Sequence, residues 1–119
     1  METTIFQNKY DADKRKNMFK SLVKDNPNRI PIIIEKKKNA TLPNLDKKKY
    51  LVPTNMTVAT FSFLIRKRLL LDSSEALVLT FGDNGLIENN SALLCDVYSK
   101  HANDDGFLYA IYNSEQTFG

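Results

Sequence analysis

Two stretches of the chain carry apolar residues at helical spacing. Between Tyr10 and Lys24, a mainly polar segment holds one apolar stripe, formed by Met18, Phe19, Leu22 and Val23, and this spacing predicts an amphipathic helix. A longer helix is predicted from an N-cap at Thr57 to about Leu70, because one apolar face recurs through Val58, Phe61, Ile65 and Leu69. The first nine residues show little regular pattern.

Four shorter runs have the composition of β-strands, being rich in β-branched and aromatic residues and bounded by turn residues. They are Arg29–Lys36, Lys49–Val52, Ala76–Phe81 and Phe107–Tyr112. Pro31 lies in the first run and cannot donate a hydrogen bond to a neighbouring strand, so an edge position or the start of a strand is expected there. Ser91 is a candidate N-cap for a further short helix that buries Leu94, Val97 and Tyr98.

The predicted order is helix, strand, strand, helix, strand, short helix, strand. Strands that flank one central helix form an α+β layer, so we predict a four-strand mixed sheet on a central helix, which is the β-grasp arrangement, with an N-terminal helical extension. The predicted organisation is an extension over residues 1–28, a β-grasp core over 29–112 and a flexible tail over 113–119. The 119 residues and 42% apolar content suit one small domain.

Charge and cysteine content limit the compartments in which the protein could act and the kinds of partner it could have. The single cysteine, Cys95, cannot form an internal disulfide, which fits a reducing compartment. No apolar run approaches the roughly 20 residues that span a bilayer, and no secretory signal is recognisable, so membrane association would need charge, a partner or an added lipid. Residues 1–68 carry a net charge of +10 and residues 69–119 one of −7. This asymmetry indicates either distinct partner surfaces or scattered solvated charges.

Several sequence blocks stand in a distinctive order along the chain. They are Asn28-Arg29-Ile30-Pro31, the run DKKKYLVP over Asp46–Pro53, Ile65-Arg66-Lys67-Arg68, Gly106-Phe107-Leu108-Tyr109 and the closing Thr117-Phe118-Gly119. Together they resemble the autophagy-related ubiquitin-like modifiers, the family that includes GABARAP. The resemblance covers almost the whole chain and is weakest before Arg15 and around Thr80–Asn90. It implies a ubiquitin-like β-grasp preceded by two short N-terminal helices.

The resemblance also implies a function for the C-terminal residue, Gly119. Family members are conjugated through this glycine to phosphatidylethanolamine, after a cysteine protease exposes it, an activating enzyme adenylates it with ATP and a conjugating enzyme carries it as a thioester. Glycine brings a carboxylate into a narrow channel without a side chain and with a free φ angle. The chain itself would be no enzyme and would need no cofactor beyond the attached lipid. The implied location is the cytoplasm and the autophagosome membrane.

Family members recruit cargo receptors through acidic peptides of the form aromatic-x-x-aliphatic, which add a strand to the sheet edge. By matching position, the aromatic pocket would be lined by Leu22, Pro31, Lys49, Leu51 and Phe107. The aliphatic pocket would be lined by Tyr50, Val52, Pro53, Met56, Phe61, Leu64 and Arg68. Cationic side chains would steer the peptide's acids, namely Arg29, Lys47, Lys48, Lys49 and Arg68. From pattern alone, Pro31, Leu51, Val52, Phe61 and Phe107 are each better explained as core than as pocket residues, and some are expected to serve both roles.

The chain departs from the family pattern near its N-terminus. Met18 replaces a residue that is commonly acidic, and Asp11-Ala12 replace a Pro-Phe pair. The first replacement would make the floor of the aromatic pocket more apolar, and the second leaves the packing of the first helix open. The loop over Phe81–Asn90 is also longer and more polar than usual, so peptide preference could differ from that of other members.

Other chemistry is expected to be absent. Cys95 is predicted to be a buried structural thiol, and His101, the single histidine, to be a surface or helix-end residue. Asp104 and Asp105 are predicted to form a solvated turn. No zinc spacing or phosphate-binding glycine loop is recognisable. The alternatives are a modifier of proteins instead of lipid and, less favoured, a basic nucleic-acid-binding domain, whose aromatic residues would have to lie between the basic runs.

Overall fold

A computed structural model describes residues 3–114. In chain order, its helices and strands are α1 (Ile5–Lys9), α2 (Ala12–Asp25), β1 (Arg29–Lys36), β2 (Lys49–Pro53), α3 (Val58–Leu69), β3 (Val78–Phe81), α4 (Leu94–His101) and β4 (Leu108–Asn113). The predicted element types from residue 10 onwards are confirmed, with small shifts at their ends. The division into 1–28, 29–112 and 113–119 stays a prediction.

The four strands form one mixed sheet in the order β2-β1-β4-β3. The central strand β1 is antiparallel to β2 and parallel to β4, and β3 is antiparallel to β4. Pro31 lies near the start of β1, one residue before the pairing with β4 begins at Ile32. Its missing N–H is therefore tolerated in an interior strand, as the prediction of a strand-start position required.

The main core lies between the sheet and α3. The predicted apolar face of this helix is buried in full, through Val58, Phe61, Ile65 and Leu69. Thr57 is the N-cap, and its hydroxyl accepts a hydrogen bond from the N–H of Thr60. Burying each large apolar side chain contributes about 1.5–3 kcal/mol relative to leaving it exposed, so this helix is held mainly by its packing against the sheet. The predicted α+β fold with a mixed sheet and central helix is confirmed.

The opposite face of the sheet carries a second apolar cluster, which we call the outer cluster. Its buried members are Phe6, Ile33, Phe107 and Tyr109, and the N-terminal helices add Tyr10, Met18, Phe19 and Leu22. The rings of Phe6 and Phe107 meet edge to face with centroids 5.3 Å apart. Gly106 has a positive φ of 99°, and a Cβ there would collide with the ring of Phe19. The close approach of α2 to the start of β4 therefore requires glycine.

The helix α1 was not predicted from the apolar pattern, although the family resemblance implied it. Five residues are too few to show helical periodicity. The helix is fixed instead by a capping box between Thr4 and Gln7 and by a distant residue. The Glu35 carboxylate accepts hydrogen bonds from the backbone N–H groups of Ile5 at 2.8 Å and Phe6 at 3.0 Å.

The prediction of a Ser91 N-cap for the short helix was wrong. The N-cap of α4 is Leu93, which makes no side-chain capping bond. The N–H of Leu94 instead donates to the carbonyl oxygen of Met56 at 2.8 Å, so the helix is started by a tertiary contact. Leu94 and Val97 are buried as predicted, whereas Tyr98 is half-buried and its hydroxyl donates to the Gly106 carbonyl at 2.6 Å.

The prediction of a solvated turn was also wrong for Asp105, which is only 3% exposed. Its carboxylate accepts hydrogen bonds from Arg15 at 2.6 Å, from the N–H of Phe107 at 2.8 Å and from the Tyr109 hydroxyl at 2.5 Å. Burial, together with the bond to Asp105, raises the pKa of Tyr109. Asp105 therefore joins α2 to β4, because Arg15 belongs to α2.

Candidate functional site

The strand β2 forms one edge of the sheet, and within residues 3–114 no other strand pairs with its outer side. The N–H of Ile34 donates to the Lys48 carbonyl, so the alternation of an antiparallel ladder turns the backbone groups of Lys49 and Leu51 away from β1. The Arg29 guanidinium donates to the outward carbonyl of Leu51 at 3.1 Å. The edge therefore offers backbone donors and acceptors to an incoming strand.

The residues expected to line an aromatic pocket lie on the outer face of β2 and beside it. Lys49 and Leu51 alternate with the buried Tyr50 and Val52 along the strand, and both are half-buried. The Lys49 ammonium lies over the ring of Phe6, 6.0 Å from its centroid. Leu22 packs against the outer cluster, and Pro31 is buried. Phe107 is fully buried, so it supports this surface from below.

The residues expected to line an aliphatic pocket lie mostly on the other face, towards α3. Tyr50, Val52 and Phe61 are buried members of the main core, and Met56 and Leu64 pack against it partly exposed. Pro53 is half-buried at the end of β2, and Arg68 is exposed on α3. The structure therefore divides the two predicted sets between separate apolar clusters, with the edge of β2 between them. Their role in binding peptides stays a prediction.

The hydroxyl of Tyr50 is buried and has no hydrogen-bond partner within the described part of the chain. Its ring meets Phe61 edge to face at 6.3 Å, and the Lys47 ammonium lies 5.4 Å from its centroid. Burial raises the pKa of Tyr50. An unsatisfied buried hydroxyl carries a desolvation cost of about 1–3 kcal/mol. Tyr50 therefore stabilises the fold through the packing of its ring and not through its hydroxyl.

Cationic side chains surround the edge strand. Lys47 and Lys48 precede it, and Lys48 approaches the Glu35 carboxylate at 3.9 Å. On the α3 side, Arg68 lies 4.0 Å from Asp46, and both side chains are largely exposed. Such an exposed pair is worth little and exchanges easily for another partner. The positions of Lys49, Arg29 and Arg68 therefore give an acidic peptide cationic groups on both sides of β2.

A groove that the sequence did not predict lies on the outer face, at the far side from β2. Because α1 and α2 cover only β1 and the start of β4, the rest of that face is open, and it encloses about 490 Å³. Its lining is mixed: Ile5, Val78, Ile87 and Ile111 contribute apolar surface, and the polar and charged residues include Glu35, Lys36, Lys37, Lys38 and Asn113. Ile87 is 52% exposed there, but its exposure depends on the tertiary arrangement and leaves no signal in the sequence.

The predicted conjugation residue, Gly119, lies outside the described residues. The last described strand, β4, ends at Asn113, which fixes where the C-terminal segment leaves the sheet. At that end, the N–H of Lys37 donates to the Tyr112 carbonyl at 2.9 Å. The exit point is therefore beside the turn that follows β1.

The single cysteine and the single histidine do not form a dyad. Cys95 is half-buried and not buried as predicted, and its thiol lies 3.9 Å from the Asp96 carboxylate. His101 is at the end of α4, as predicted, and its Nε2 lies 2.6 Å from the Glu88 carboxylate. Over residues 3–114, no group of three or more His, Cys, Asp or Glu side chains is placed to hold a metal ion, and no helix has the length and apolarity to cross a membrane.

Comparison with known proteins decides the family. The family model described as "Autophagy protein Atg8 ubiquitin like" matches residues 14–119. The chain belongs to the Atg8 family. Autophagy-related protein 8e of Arabidopsis thaliana is 42% identical over 116 residues, covering 98% of this chain and 93% of that protein. Autophagy-related protein 8 of Vanderwaltozyma polyspora is 40% identical over 114 residues, covering 96% and 95%.

The fold agrees with a solved Atg8 structure. The crystal structure of Trypanosoma brucei ATG8 superposes with a TM-score of 0.88 at 35% identity, over 99% of this chain and 100% of that one. The ubiquitin-like fold and the family predicted from the sequence blocks are both confirmed. This Atg8-family chain is thus a ubiquitin-like autophagy protein, and its partners belong to the autophagy system.

Proposed function

We propose that this chain is a modifier conjugated through Gly119 to phosphatidylethanolamine on autophagosomal membranes, where it recruits cargo receptors through acidic aromatic-x-x-aliphatic peptides. The single observation that carries the recruiting half is the open edge of β2, with an apolar cluster on each of its faces. An added strand would pair with the outward backbone groups of Lys49 and Leu51, sharing the Leu51 carbonyl with Arg29 or displacing it. Its alternate side chains would reach both faces.

The electrostatics of the edge favour an acidic ligand. The exposed pair of Arg68 and Asp46 leaves Arg68 available to a peptide carboxylate, and Lys49 lies at the other face. A peptide acid that displaces Asp46 exchanges one weak surface pair for another, so binding gains specificity and association rate more than affinity. We therefore expect binding to weaken as salt is added, since screening acts beyond about 10 Å at 0.1 M.

The proposed conjugation to phosphatidylethanolamine is supported by the presence of Gly119 and by membership of the Atg8 family. A carboxylate is a poor acyl donor until it is activated. In the proposed route, the Gly119 carboxylate attacks ATP to form an acyl adenylate and releases pyrophosphate. A cysteine thiol of a partner enzyme then displaces AMP, and the lipid amine displaces that thiol to form an amide. The chain supplies the acyl group and no catalytic residue. Its proposed partners are the activating enzyme, the conjugating enzyme and a processing cysteine protease, acting in the cytoplasm.

Reconstitution tests the conjugating half. The chain is incubated with the activating and conjugating enzymes, ATP and vesicles that contain phosphatidylethanolamine, and its mass is measured. We expect a mass increase equal to the lipid minus one water, located on Gly119. Deletion of Gly119 is the matched control and should abolish the product without lowering the midpoint of thermal unfolding. Conjugation to protein lysines alone would favour the alternative of a protein modifier.

Peptide titration tests the recruiting half. We expect Leu51→Ala to weaken an acidic aromatic-x-x-aliphatic peptide by about 1–3 kcal/mol, the range of pocket-lining hot spots. The matched control is Leu70→Ala, since Leu70 is exposed at the C-cap of α3 and is not among the residues predicted to line either pocket. Equal affinities for the two variants would place the binding surface elsewhere on the molecule.

A further inference from the structure

Three consecutive lysines stand at the end of the sheet where β4 also finishes: Lys36 is the last residue of β1, and Lys37 and Lys38 follow it. Because β1 and β4 run parallel, their carboxyl ends meet, with Lys36 opposite Tyr112. The backbone N–H of Lys37 donates to the Tyr112 carbonyl at 2.9 Å, which extends this pairing by one residue. Lys37 is therefore fixed beside Asn113, the last residue of β4.

A tight turn holds these lysines in place. The N–H of Ala40 donates to the Lys37 carbonyl at 3.1 Å, which closes a four-residue turn. Asn39, its third residue, has a positive φ of 67°, as a type II turn requires. The Lys36 ammonium donates to the Leu42 carbonyl at 3.1 Å. Lys37 and Lys38 are exposed, and among residues 3–114 neither forms an ion pair. Within the described residues, two cations without an ion pair are thus presented at this end of the sheet.

The position of this turn relative to the conjugation residue is what suggests its partner. Gly119 is the sixth residue after Asn113, so even a fully extended tail reaches at most about 20 Å. A chain attached to a membrane through Gly119 therefore keeps its Lys37–Lys38 turn within that distance of the lipid surface. Anionic lipids attract cations close to the surface by about 1 kcal/mol each, a factor of roughly five.

Two other exposed lysines lie at the opposite end of the sheet from the Lys37–Lys38 turn. Lys20 and Lys24 lie exposed on α2, which packs near the start of β1 and beside Gly106 at the start of β4. The eight residues of β1 span roughly 25 Å, so these two lysines lie near the far end of the sheet from the tail exit. They carry the same charge as the turn and serve as its matched control.

We infer that Lys37 and Lys38 form a contact surface for anionic phospholipid headgroups, which orients the chain once its C-terminus is attached to a membrane. The inference rests on the proposed attachment through Gly119. It assigns the turn to a lipid surface and not to an acidic protein, because the membrane stays beside the attached tail, whereas the enzymes of the proposed route act on Gly119 only until the amide has formed.

The test uses chemical attachment, so that its outcome does not depend on the conjugating enzymes. The full chain, with Cys95→Ser and Gly119→Cys, is coupled to vesicles of phosphatidylcholine that carry a maleimide-linked phosphatidylethanolamine, with or without phosphatidylserine. The coupling rate is measured at low salt, and lysine acetylation of the attached chain is mapped by mass spectrometry. Failure of enzymatic conjugation would count against the proposed function and would leave this measurement interpretable.

We expect phosphatidylserine to raise the coupling rate on the order of tenfold at low salt. Lys37→Gln with Lys38→Gln should remove most of that increase, whereas Lys20→Gln with Lys24→Gln should keep it. In the attached chain, phosphatidylserine should protect Lys37 and Lys38 from acetylation more than Lys20 and Lys24. All four side chains are exposed, so both variants should unfold at the same temperature as the parent.

Two results would overturn the inference. An equal loss of rate in both variants would mean that net charge alone attracts the chain to the surface. Unchanged acetylation of Lys37 and Lys38 on vesicles with phosphatidylserine would mean that the turn does not face the lipid, and an acidic protein would then be the better candidate for its partner.

Discussion

Arg15 of α2 donates to the buried carboxylate of Asp105 at 2.6 Å, across 90 residues of sequence. The Arg15 side chain is only 14% exposed and that of Asp105 is 1% exposed. The same carboxylate receives the N–H of Phe107 and the hydroxyl of Tyr109. One carboxylate thus connects an N-terminal helix, the start of β4 and the outer cluster.

Removal of Arg15 should destabilise the protein. In Arg15→Ala, Asp105 remains buried with two donors but loses its counter-charge, and breaking a buried pair from one side is costly. We expect the free energy of unfolding in urea to fall by roughly 2–3 kcal/mol, because the remaining hydrogen bonds moderate the full penalty. Lys16→Ala, an exposed neighbour on the same helix, should change it by no more than about 0.5 kcal/mol.

Glu35 should control the order of α1. In Glu35→Ala, the N–H groups of Ile5 and Phe6 lose their acceptor, so we expect a loss of about 1–2 kcal/mol. Hydrogen exchange at these two amides should accelerate more than exchange in α3. Lys48→Ala is the control, because its ammonium lies 3.9 Å from Glu35 and is 44% exposed. If exchange in α1 is as slow as in the parent chain, the helix is held by its capping box alone.

Loss of the hydroxyl should destabilise the protein at Tyr112 but not at Tyr50. Tyr112 donates to the Pro43 carbonyl at 2.8 Å and accepts from the N–H of Leu45 at 3.1 Å. Tyr112→Phe should therefore cost about 1–3 kcal/mol. Tyr50→Phe removes a buried oxygen without a described partner, so unfolding in urea should show unchanged or increased stability. Destabilisation by Tyr50→Phe comparable to that by Tyr112→Phe would reveal a partner for the Tyr50 hydroxyl.

Stability should decline in alkali because of Tyr109. Its pKa is raised in the folded protein by burial and by the bond to Asp105, so above about pH 10 the unfolded chain loses this proton first. The stabilising contribution is present below that pH and is lost as pH rises towards the folded pKa. Each retained proton gives a slope of about 1.4 kcal/mol per pH unit. Urea titrations between pH 9 and 11 should show a shallower slope for Tyr109→Phe.

The helices and strands that could be predicted from the sequence are those whose residue pattern lies within the element itself. The strand β1 has the predicted bounds of Arg29 and Lys36, and the buried face of α3 is the predicted one. The apolar residues of α3 recur at helical spacing, and β1 is a short run of β-branched residues bounded by turn residues. The family was also recognisable, because blocks such as Asp46–Pro53 occur in a fixed order.

The features that were missed depend on contacts between distant residues. The helix α1 is completed by Glu35, 30 residues away from Ile5, and α4 begins where Leu94 meets Met56. Asp105 has the sequence context of an exposed turn, yet Arg15 lies 90 residues before it. The groove beside Ile111 follows from how far two helices extend over a sheet. None of these relationships has a local period from which it could be predicted.

The exposed β2 edge has a further consequence for how copies of the chain meet one another. An unpaired strand invites a second copy to extend the sheet, and natural proteins discourage this with lysine and proline at such edges. Here Lys47, Lys48 and Lys49 would confront the same three charges in an approaching copy, and Pro53 lacks the N–H that longer pairing needs. The edge of β2 therefore disfavours pairing with β2 of a second copy and remains open to strands of opposite charge.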